Sequence, residues 1–379
     1  MNIQISEITS RGDLRDFINY PFSLYRDNPY WVPSLFEDDL NTLDPRRNPA
    51  FDHSKASYWM AYQNGHAVGR IAGIINDLHA QKWNQPYARF GWIDFVDDPA
   101  VSGALLSTME NWARNNGMSA VHGPLGFTDM DHEGMLVEGF DRLGTMATIY
   151  NHPYYPRHLE LHGYAKDIDW VEYEINVPGQ SPEKVAQLAE TVLRRYDLHL
   201  LPARTRKDLL PYAHQLFDVL NEAYGHLYGV VPLTERQVDV YVKQYFDFIR
   251  PEMAPMVLDS NDRVIAFGIA MPSLSKALQR SQGRLFPFGF VHLLSALNFW
   301  NGYERRADLY LVAIRHEYQG KGINAVLMNQ MIIAFNKLGI RCVESNPELE
   351  NNDAVQAQWK HFERRQHKRR RCYIKHLTA

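Results

Sequence analysis

The chain has 379 residues, of which 45% are hydrophobic and 22% charged, so it can bury a substantial core and is not a disordered segment. Its formal net charge of −4 gives no bulk attraction towards nucleic acid or an anionic membrane. Two cysteines exclude a disulfide scaffold and a cysteine-rich metal site, and fit a reducing compartment. The opening residues, MNIQISE, lack the basic-then-apolar profile of a secretory signal, so a cytoplasmic setting is expected.

In chain order, residues 61–73 (AYQNGHAVGRIAG) alternate apolar and other side chains around Asn64-Gly65, the pattern of a hairpin with a tight turn. A strand follows over 90–96. Residues 99–115 then place Val101, Leu105, Met109 and Trp112 on one helical face, closed by Asn116-Gly117. A short strand is expected at 119–122. After it comes a long irregular stretch to Tyr150, a helix near 155–162 and a strand at 170–175.

The second half repeats this order. A strand at 198–203 precedes a hairpin over 258–270 that turns at Asn261-Asp262. Residues 285–300 (LFPFGFVHLLSALNFW) form the longest uncharged apolar stretch. It is shorter than the roughly 20 residues a membrane span needs, so it is expected to be a buried or groove-lining helix. Next come a strand at 308–314, a helix at 323–338 closed by Gly339, a strand at 341–345, a helix at 352–364 and a strand at 371–376. PGQSP at 178–182 is the best linker signal. The expected architecture is α/β, an α+β mixed sheet with helices on its faces, in two domains of one plan: residues 1–177 and 183–379.

Residues 309–324 (LYLVAIRHEYQGKGIN) run from an apolar strand through Gln319-Gly320-Lys321-Gly322 into a helix. Free amides and the positive end of the helix dipole converge at such a turn, which suits a phosphate. Neither the Rossmann nor the P-loop pattern is matched. An ordinary tight turn with a solvated lysine is the competing reading.

This segment resembles the acetyl-CoA-binding motif of the GNAT superfamily of N-acyltransferases, Gln/Arg-x-x-Gly-x-Gly/Ala after a strand, with Gln319 and Gly322 at its first two fixed positions. The likeness covers residues 183–377 well and 1–177 more loosely, as in bacterial proteins with two GNAT-like domains in tandem. It implies that the main chain of Gln319, Gly320, Lys321, Gly322, Ile323 and Asn324 receives the pyrophosphate of acetyl-CoA or another acyl-CoA. The strand around Val312, Ala313 and Ile314 would pair with the pantetheine arm and polarise the thioester carbonyl. The amine attacks directly, so neither a serine or cysteine nucleophile nor a metal is expected.

Departures from the pattern bear on activity. Asn324 replaces the third small residue, and His316 replaces a common proline. Asn351 and Ala354 match a further family pattern, but the tyrosine that usually protonates the thiolate falls at Gln358, which cannot serve as an acid. Either the thiolate leaves unaided, Tyr373 substitutes, or the domain binds without catalysing. Glu344 is the candidate general base, with a solvent-facing ion pair to an arginine as the other reading.

In the first half, Asp97-Asp98-Pro99 stands where the phosphate turn would be. Two carboxylates there cap a helix and repel a diphosphate, so this domain reads as degenerate. Its long loop, 123–155, is rich in glycine, aromatics and acids. One reading is an acceptor pocket in which Asp129, Asp131 or Glu138 receives a cationic amine between walls of Tyr150, Tyr154 and Tyr155. The other is a loop that packs between domains. The basic run 364–371 (RRQHKRRR) suits either a polyanion, such as nucleic acid or the 3′-phosphate of CoA, or a solvated turn; the turn fits the net charge better.

The function expected from the resemblance is acyl transfer from acyl-CoA to a small-molecule or peptide amine, without nucleic acid, membrane or metal. Asn324 and Gln358 motivate a non-catalytic CoA- or metabolite-binding alternative. The basic run motivates an aminoacyl-tRNA-dependent transferase of similar tandem fold.

Overall fold

The computed structural model describes residues 3–300 and 305–378. It divides into two compact units, each assembled from separate stretches of chain: unit 1 holds residues 1–171, 274–293 and 367–379, and unit 2 holds 172–273 and 294–366. The single cut expected near 178–182 is therefore replaced by several.

The first stretch of unit 1 runs β1 (Ile3–Glu7), α1 (Arg11–Leu24), α2 (Phe36–Leu43), β2 (Ser54–Gln63), β3 (His66–Asn76), α3 (Asp77–Trp83) and β4 (Tyr87–Phe95). It continues with α4 (Pro99–Asn115), β5 (Ala120–Gly123), β6 (Met135–Glu138) and α5 (Tyr155–Leu161). Strand β7 (Ala165–Asn176) begins in unit 1 and ends in unit 2. Unit 2 then runs α6 (Glu183–Arg195), β8 (His199–Leu200), α7 (Arg206–Leu209), α8 (Ala213–Tyr224), α9 (Glu235–Tyr245), β9 (Met256–Leu258) and β10 (Val264–Pro272). Helix α10 (Ser275–Ser281) belongs to unit 1, and α11 (Gly289–Leu297) starts there. The chain ends with β11 (Arg306–Ile314), α12 (Ile323–Leu338), β12 (Cys342–Glu344), β13 (Glu348–Leu349), α13 (Asp353–Gln356) and β14 (Arg364–His376), whose last residues return to unit 1.

Unit 1 orders its strands β1-β2-β3-β4-β5-β14, antiparallel except for the parallel pair β4–β5. Unit 2 orders them β7-β12-β11-β10-β9-β8, antiparallel except for the parallel pair β11–β12. Each sheet is thus closed by the strand that ends the other half of the sequence. Tyr373 of β14 lies opposite Gly123 of β5, and Ile175 of β7 lies opposite Val343 of β12.

Helices α4 and α12 form over the expected residues. Asp98 caps α4 by accepting from the Ala100 amide at 2.9 Å, and Val101, Leu105 and Met109 bury against Ile71, Phe90 and Phe95. The first hairpin turns at Asn64-Gly65, both left-handed (φ 52° and 79°), as a two-residue turn requires. The second is longer. Asp259 Oδ1 accepts from the amides of Asn261 and Arg263, and the carboxylate organises a turn over residues 259–263.

The expected helix 352–364 shrinks to α13 and a 3-10 stretch (Ala357–His361), and the basic run extends β14 instead of forming a solvated turn. Buried Asp169 explains this: it accepts from Arg371 Nε at 2.8 Å and from Arg369 Nη1 at 3.1 Å. The Arg370 guanidinium donates to the carbonyl of Ile149, and Arg365 pairs with Glu174. Internal carboxylates and carbonyls therefore take up much of this positive charge.

Beside the main core of unit 1 lies a buried ion pair. Arg70 contacts Asp94 at 2.7 Å and donates to the Phe17 carbonyl, while the Tyr25 hydroxyl donates to Asp94 at 2.8 Å. Burial raises the Asp94 carboxyl above its ordinary range, and Arg70 is the main influence opposing that rise. Replacing Arg70 with methionine leaves a buried, uncompensated carboxylate, and should destabilise unit 1 by about 3–5 kcal/mol at neutral pH. Urea unfolding checks this; a loss near zero would show that the pair contributes nothing.

Candidate functional site

The site is built on β11. This strand pairs with β12 only at Arg306↔Cys342, Ala307↔Val343 and Asp308↔Glu344, and beyond Asp308 the pairing ends. On its other side β11 continues to pair with β10 as far as Ile314↔Ala266, with a register shift that leaves Tyr310 without a residue opposite. Residues 310, 312 and 314 therefore turn their main-chain groups towards an edge that no strand covers. Side chains satisfy that edge. Asn346 Nδ2 donates to the Tyr310 carbonyl at 3.2 Å, Tyr224 Oη donates to the Val312 carbonyl at 3.1 Å, and Gln319 Nε2 donates to the Ile314 carbonyl at 3.1 Å. The Val312 amide points at the same Tyr224 oxygen, 3.5 Å away. An extended ligand that traded places with these side chains would pair with the strand. Ala313 lies opposite Phe267 and directs its amide towards β10, so of the three strand residues singled out in the sequence only Val312 and Ile314 face the open edge.

The strand leads into the glycine turn. Gly320 and Gly322 are both left-handed (φ 72° and 83°), and Gly322 is the N-cap of α12. A Cβ on Gly322 would come within 3.0 Å of Val192 on α6, whereas a Cβ on Gly320 would meet nothing within 4 Å. Among the described residues, the amides of Gly320, Gly322, Ile323 and Asn324 donate to no main-chain acceptor. They are the orphan donors of a helix start beside open space. Lys321 holds its ammonium over the rings of Tyr318 and Tyr196, at 5.0 and 5.3 Å. Arg315 pairs with Glu222 at 2.7 Å and donates to the Val264 carbonyl, while Glu222 also accepts from the His316 amide. This clamp fixes the approach to the turn, and sequence reading missed it because Glu222 lies 93 positions from Arg315.

Two buried carboxylates stand where β11 and β12 part. Glu344 lies opposite Asp308 on one side and Glu174 on the other. Glu348, on β13, was not singled out in the sequence. Its Oε1 accepts from Trp359 Nε1 at 2.6 Å, and its Oε2 has no partner among the described residues. Burial pushes its carboxyl up to about 7, with Trp359 and Ser345 pulling weakly the other way. The Tyr310 hydroxyl is buried without a partner among the described residues, and its pKa is raised well above 10 by burial and by Asp308 and Glu344.

Tyr373, the proposed substitute acid, is corrected by the structure. It is fully buried in the core of unit 1, where its hydroxyl contacts Glu160 and burial raises it to about 12. Asn351 is exposed in the turn before α13, and its neighbour Asn352 provides the cap. The side chain of Ala354 lies outside the described residues.

The loop of unit 1 separates the remaining candidates. Asp129 and Asp131 come together with Glu133 and Arg89, where burial pushes the Asp129 carboxyl up to about 6; Asp131 Oδ2 also accepts from the amides of Phe127 and Thr128. Tyr150 instead bonds to Asn28 and the Phe140 carbonyl, and Tyr154 to the Phe95 carbonyl. Tyr155 is fully buried against Phe95, and Glu138 pairs with Arg369. The acids and the tyrosines are thus held by separate sets of partners. For metals, the donor atoms of His122, Asp167 and Cys372 lie within 4.8 Å of one another in unit 1.

The family model for acetyltransferases, "Acetyltransferase (GNAT) family", matches residues 213–361, the stretch that carries the open edge, the turn and Glu348. Residues 213–361 are thus similar to the GNAT acetyltransferase family. The chain is similar to Protein YghO of Escherichia coli K12, 29% identical over 373 residues that cover 97% of this chain and 94% of that one. It is also similar to the bacterial ceramide synthase of Caulobacter vibrioides, 27% identical over 368 residues, with 93% and 92% covered. A tandem GNAT protein from the clavulanic acid biosynthesis pathway has the same fold over 100% of this chain and 99% of its own, at 12% identity and a TM-score of 0.54. The tandem GNAT fold accounts for the repeated strand order of the two halves.

Gly320→Ala tests the turn. The left-handed backbone costs a Cβ about 1 kcal/mol, and the new methyl points into the space that a phosphate would use. Isothermal titration should show CoA affinity reduced at least about tenfold against a small loss of stability, since amide donors act only at hydrogen-bond distance. Unchanged affinity would place the diphosphate elsewhere.

Proposed function

We propose that the chain transfers an acyl group from acyl-CoA to the amine of a long-chain amino lipid. The observation that carries the donor half is the uncovered edge of β11 running directly into the amide-lined turn at residues 319–324. The acceptor half is supported by near full-length similarity to a protein named a bacterial ceramide synthase, since a ceramide is an N-acylated long-chain amino alcohol. The expected acetyl donor gives way, in this reading, to a longer acyl chain.

The residues fit the donor. Gly320, Gly322, Ile323 and Asn324 would hold the diphosphate, and Val312 and Ile314 the pantetheine arm. Acyl-CoA, when bound, supplies an acyl carbon activated by a thiol leaving group. The Val312 amide donates to the acyl oxygen, and the chain needs no covalent nucleophile. Glu348, ionised above about pH 7, takes the proton that the attacking amine must lose. Tyr224, whose hydroxyl already rests on the Val312 main chain, returns a proton to the departing sulfur and fills the role that Gln358 cannot. The tRNA-dependent alternative loses its motive, because Arg365, Arg369, Arg370 and Arg371 are engaged by Glu174, Asp169 and the Ile149 carbonyl.

Thiol release from long-chain acyl-CoA in the presence of a sphingoid-type amine tests this reading; silence with such amines across acyl lengths would favour a binding protein. A general base must be deprotonated, so the rate should fall as pH drops through about 7. Glu348→Gln should lower kcat about 100-fold or more and abolish that acid limb, whereas Glu344→Gln should keep it. Tyr224→Phe should lower kcat about tenfold with acyl-CoA affinity retained. If Glu344→Gln rather than Glu348→Gln removed the limb, the base assignment would reverse.

A further inference from the structure

The stretch 285–300, expected to be a buried or groove-lining helix, buries one face of α11 and exposes the other. Phe286 and Phe288 are 78% and 75% exposed, and Phe290, Val291 and Leu294 continue an apolar face along α11 at 41–46% exposure. The opposite face of the helix, Leu293, Ala296 and Leu297, is buried. Exposed aromatics at this density on a protein surface mark an interaction site.

The tip is held rigidly. Within unit 1, the Gly283 carbonyl accepts from the Phe36 amide at 2.9 Å, and a Cβ on Gly283 would meet the Ser34 carbonyl oxygen at 2.2 Å. Arg284 donates to Asn19 at 2.8 Å and lies 4.8 Å from the centre of the Phe36 ring. Gln279 donates to the carbonyls of Pro29 and Trp31. The segment that leads into the phenyl rings is thus anchored to unit 1.

The surrounding charge identifies the occupant. No carboxylate occurs between Asp262 and Glu304, while Lys276, Arg280 and Arg284 precede the aromatic tip, in a chain whose net charge is −4. Arg280 and Arg284 are exposed. Aromatic rings projecting beside arginines, in a stretch of sequence without a carboxylate, complement the acyl–headgroup boundary of an anionic bilayer. No described helix is long and apolar enough to cross a membrane, so contact would be with one leaflet.

We propose that residues 280–294 dock the protein on the surface of anionic lipid bilayers, with Phe286, Phe288 and Phe290 entering the headgroup boundary and Arg280 facing the phosphates. This stands apart from the acyltransferase reading. It would, however, bring an enzyme with a lipid acceptor to its substrate.

Sedimentation with vesicles of phosphatidylcholine, with and without phosphatidylglycerol, tests the proposal without any acyl transfer. The full chain should pellet with phosphatidylglycerol vesicles and be released by salt. Phe286→Ser/Phe288→Ser should weaken that binding at least about tenfold, and Arg280→Glu several-fold, with unfolding temperatures unchanged because these side chains are exposed. The proposal is overturned if the wild type stays in the supernatant, or if the double variant binds equally well. It is also overturned if light scattering shows a dimer that the double variant splits, which would assign the patch to a second copy. Each of these results leaves the thiol-release assay free to succeed or fail separately.

Discussion

The parting of β12 from β11 after Asp308 is the constraint on which the site depends. A parallel pair that continued to Ile314 would have hydrogen-bonded Tyr310, Val312 and Ile314 to a neighbouring strand and left a small ligand nothing to pair with. Because the pairing stops, three side chains from three different places cap those groups. Bonds of this kind are exchangeable: each is one polar contact near the surface, and a ligand offering equivalent donors and acceptors replaces it at little net cost. Beside β12 stand the buried carboxylates Glu344 and Glu348, and burial shifts the ionisation of Glu348 towards neutrality.

The two glycines at the end of β11 have separate jobs. Gly322 permits close packing of α12 on α6, where any side chain would strike Val192, so it is a requirement of the unit 2 core as well as of a ligand. Gly320 has no such packing duty, and its left-handed backbone beside empty space is what a phosphate seat needs. The Arg315–Glu222 clamp joins this turn to α8, the helix that also supplies Tyr224. One helix therefore supports both the phosphate end and the thioester end of the site. In unit 1 the matching helix start is closed: Pro99 lacks an amide hydrogen and Asp98 occupies the amide of Ala100.

Local signals carried the repeated architecture. Asn64-Gly65, Asp98-Pro99, Gly339 and the spacing of Val101, Leu105 and Met109 each fix their element through neighbours a few residues away. The glycine turn was legible for the same reason. Long-range choices were not. Which strand closes each sheet depends on partners such as Asp169 for Arg369 and Arg371, some 200 positions away. Glu348 escaped notice because its perturbation comes from burial, which spacing does not encode. The aromatic tip misled for a related reason: hydrophobicity along a sequence reports a wish for an apolar neighbour, and that neighbour need not be the same chain.

The central claim is that the exposed amides of the turn and the open edge of β11 form one continuous seat for acyl-CoA. Amide hydrogen exchange with and without a long-chain acyl-CoA, in the absence of any amine, reads it directly, residue by residue. The account predicts slowed exchange at Gly320, Gly322, Ile323 and Asn324 together with Val312, and little change at Ala313, whose amide already faces β10. Saturating acyl-CoA that left the turn and Val312 exchanging at their free rates would contradict it.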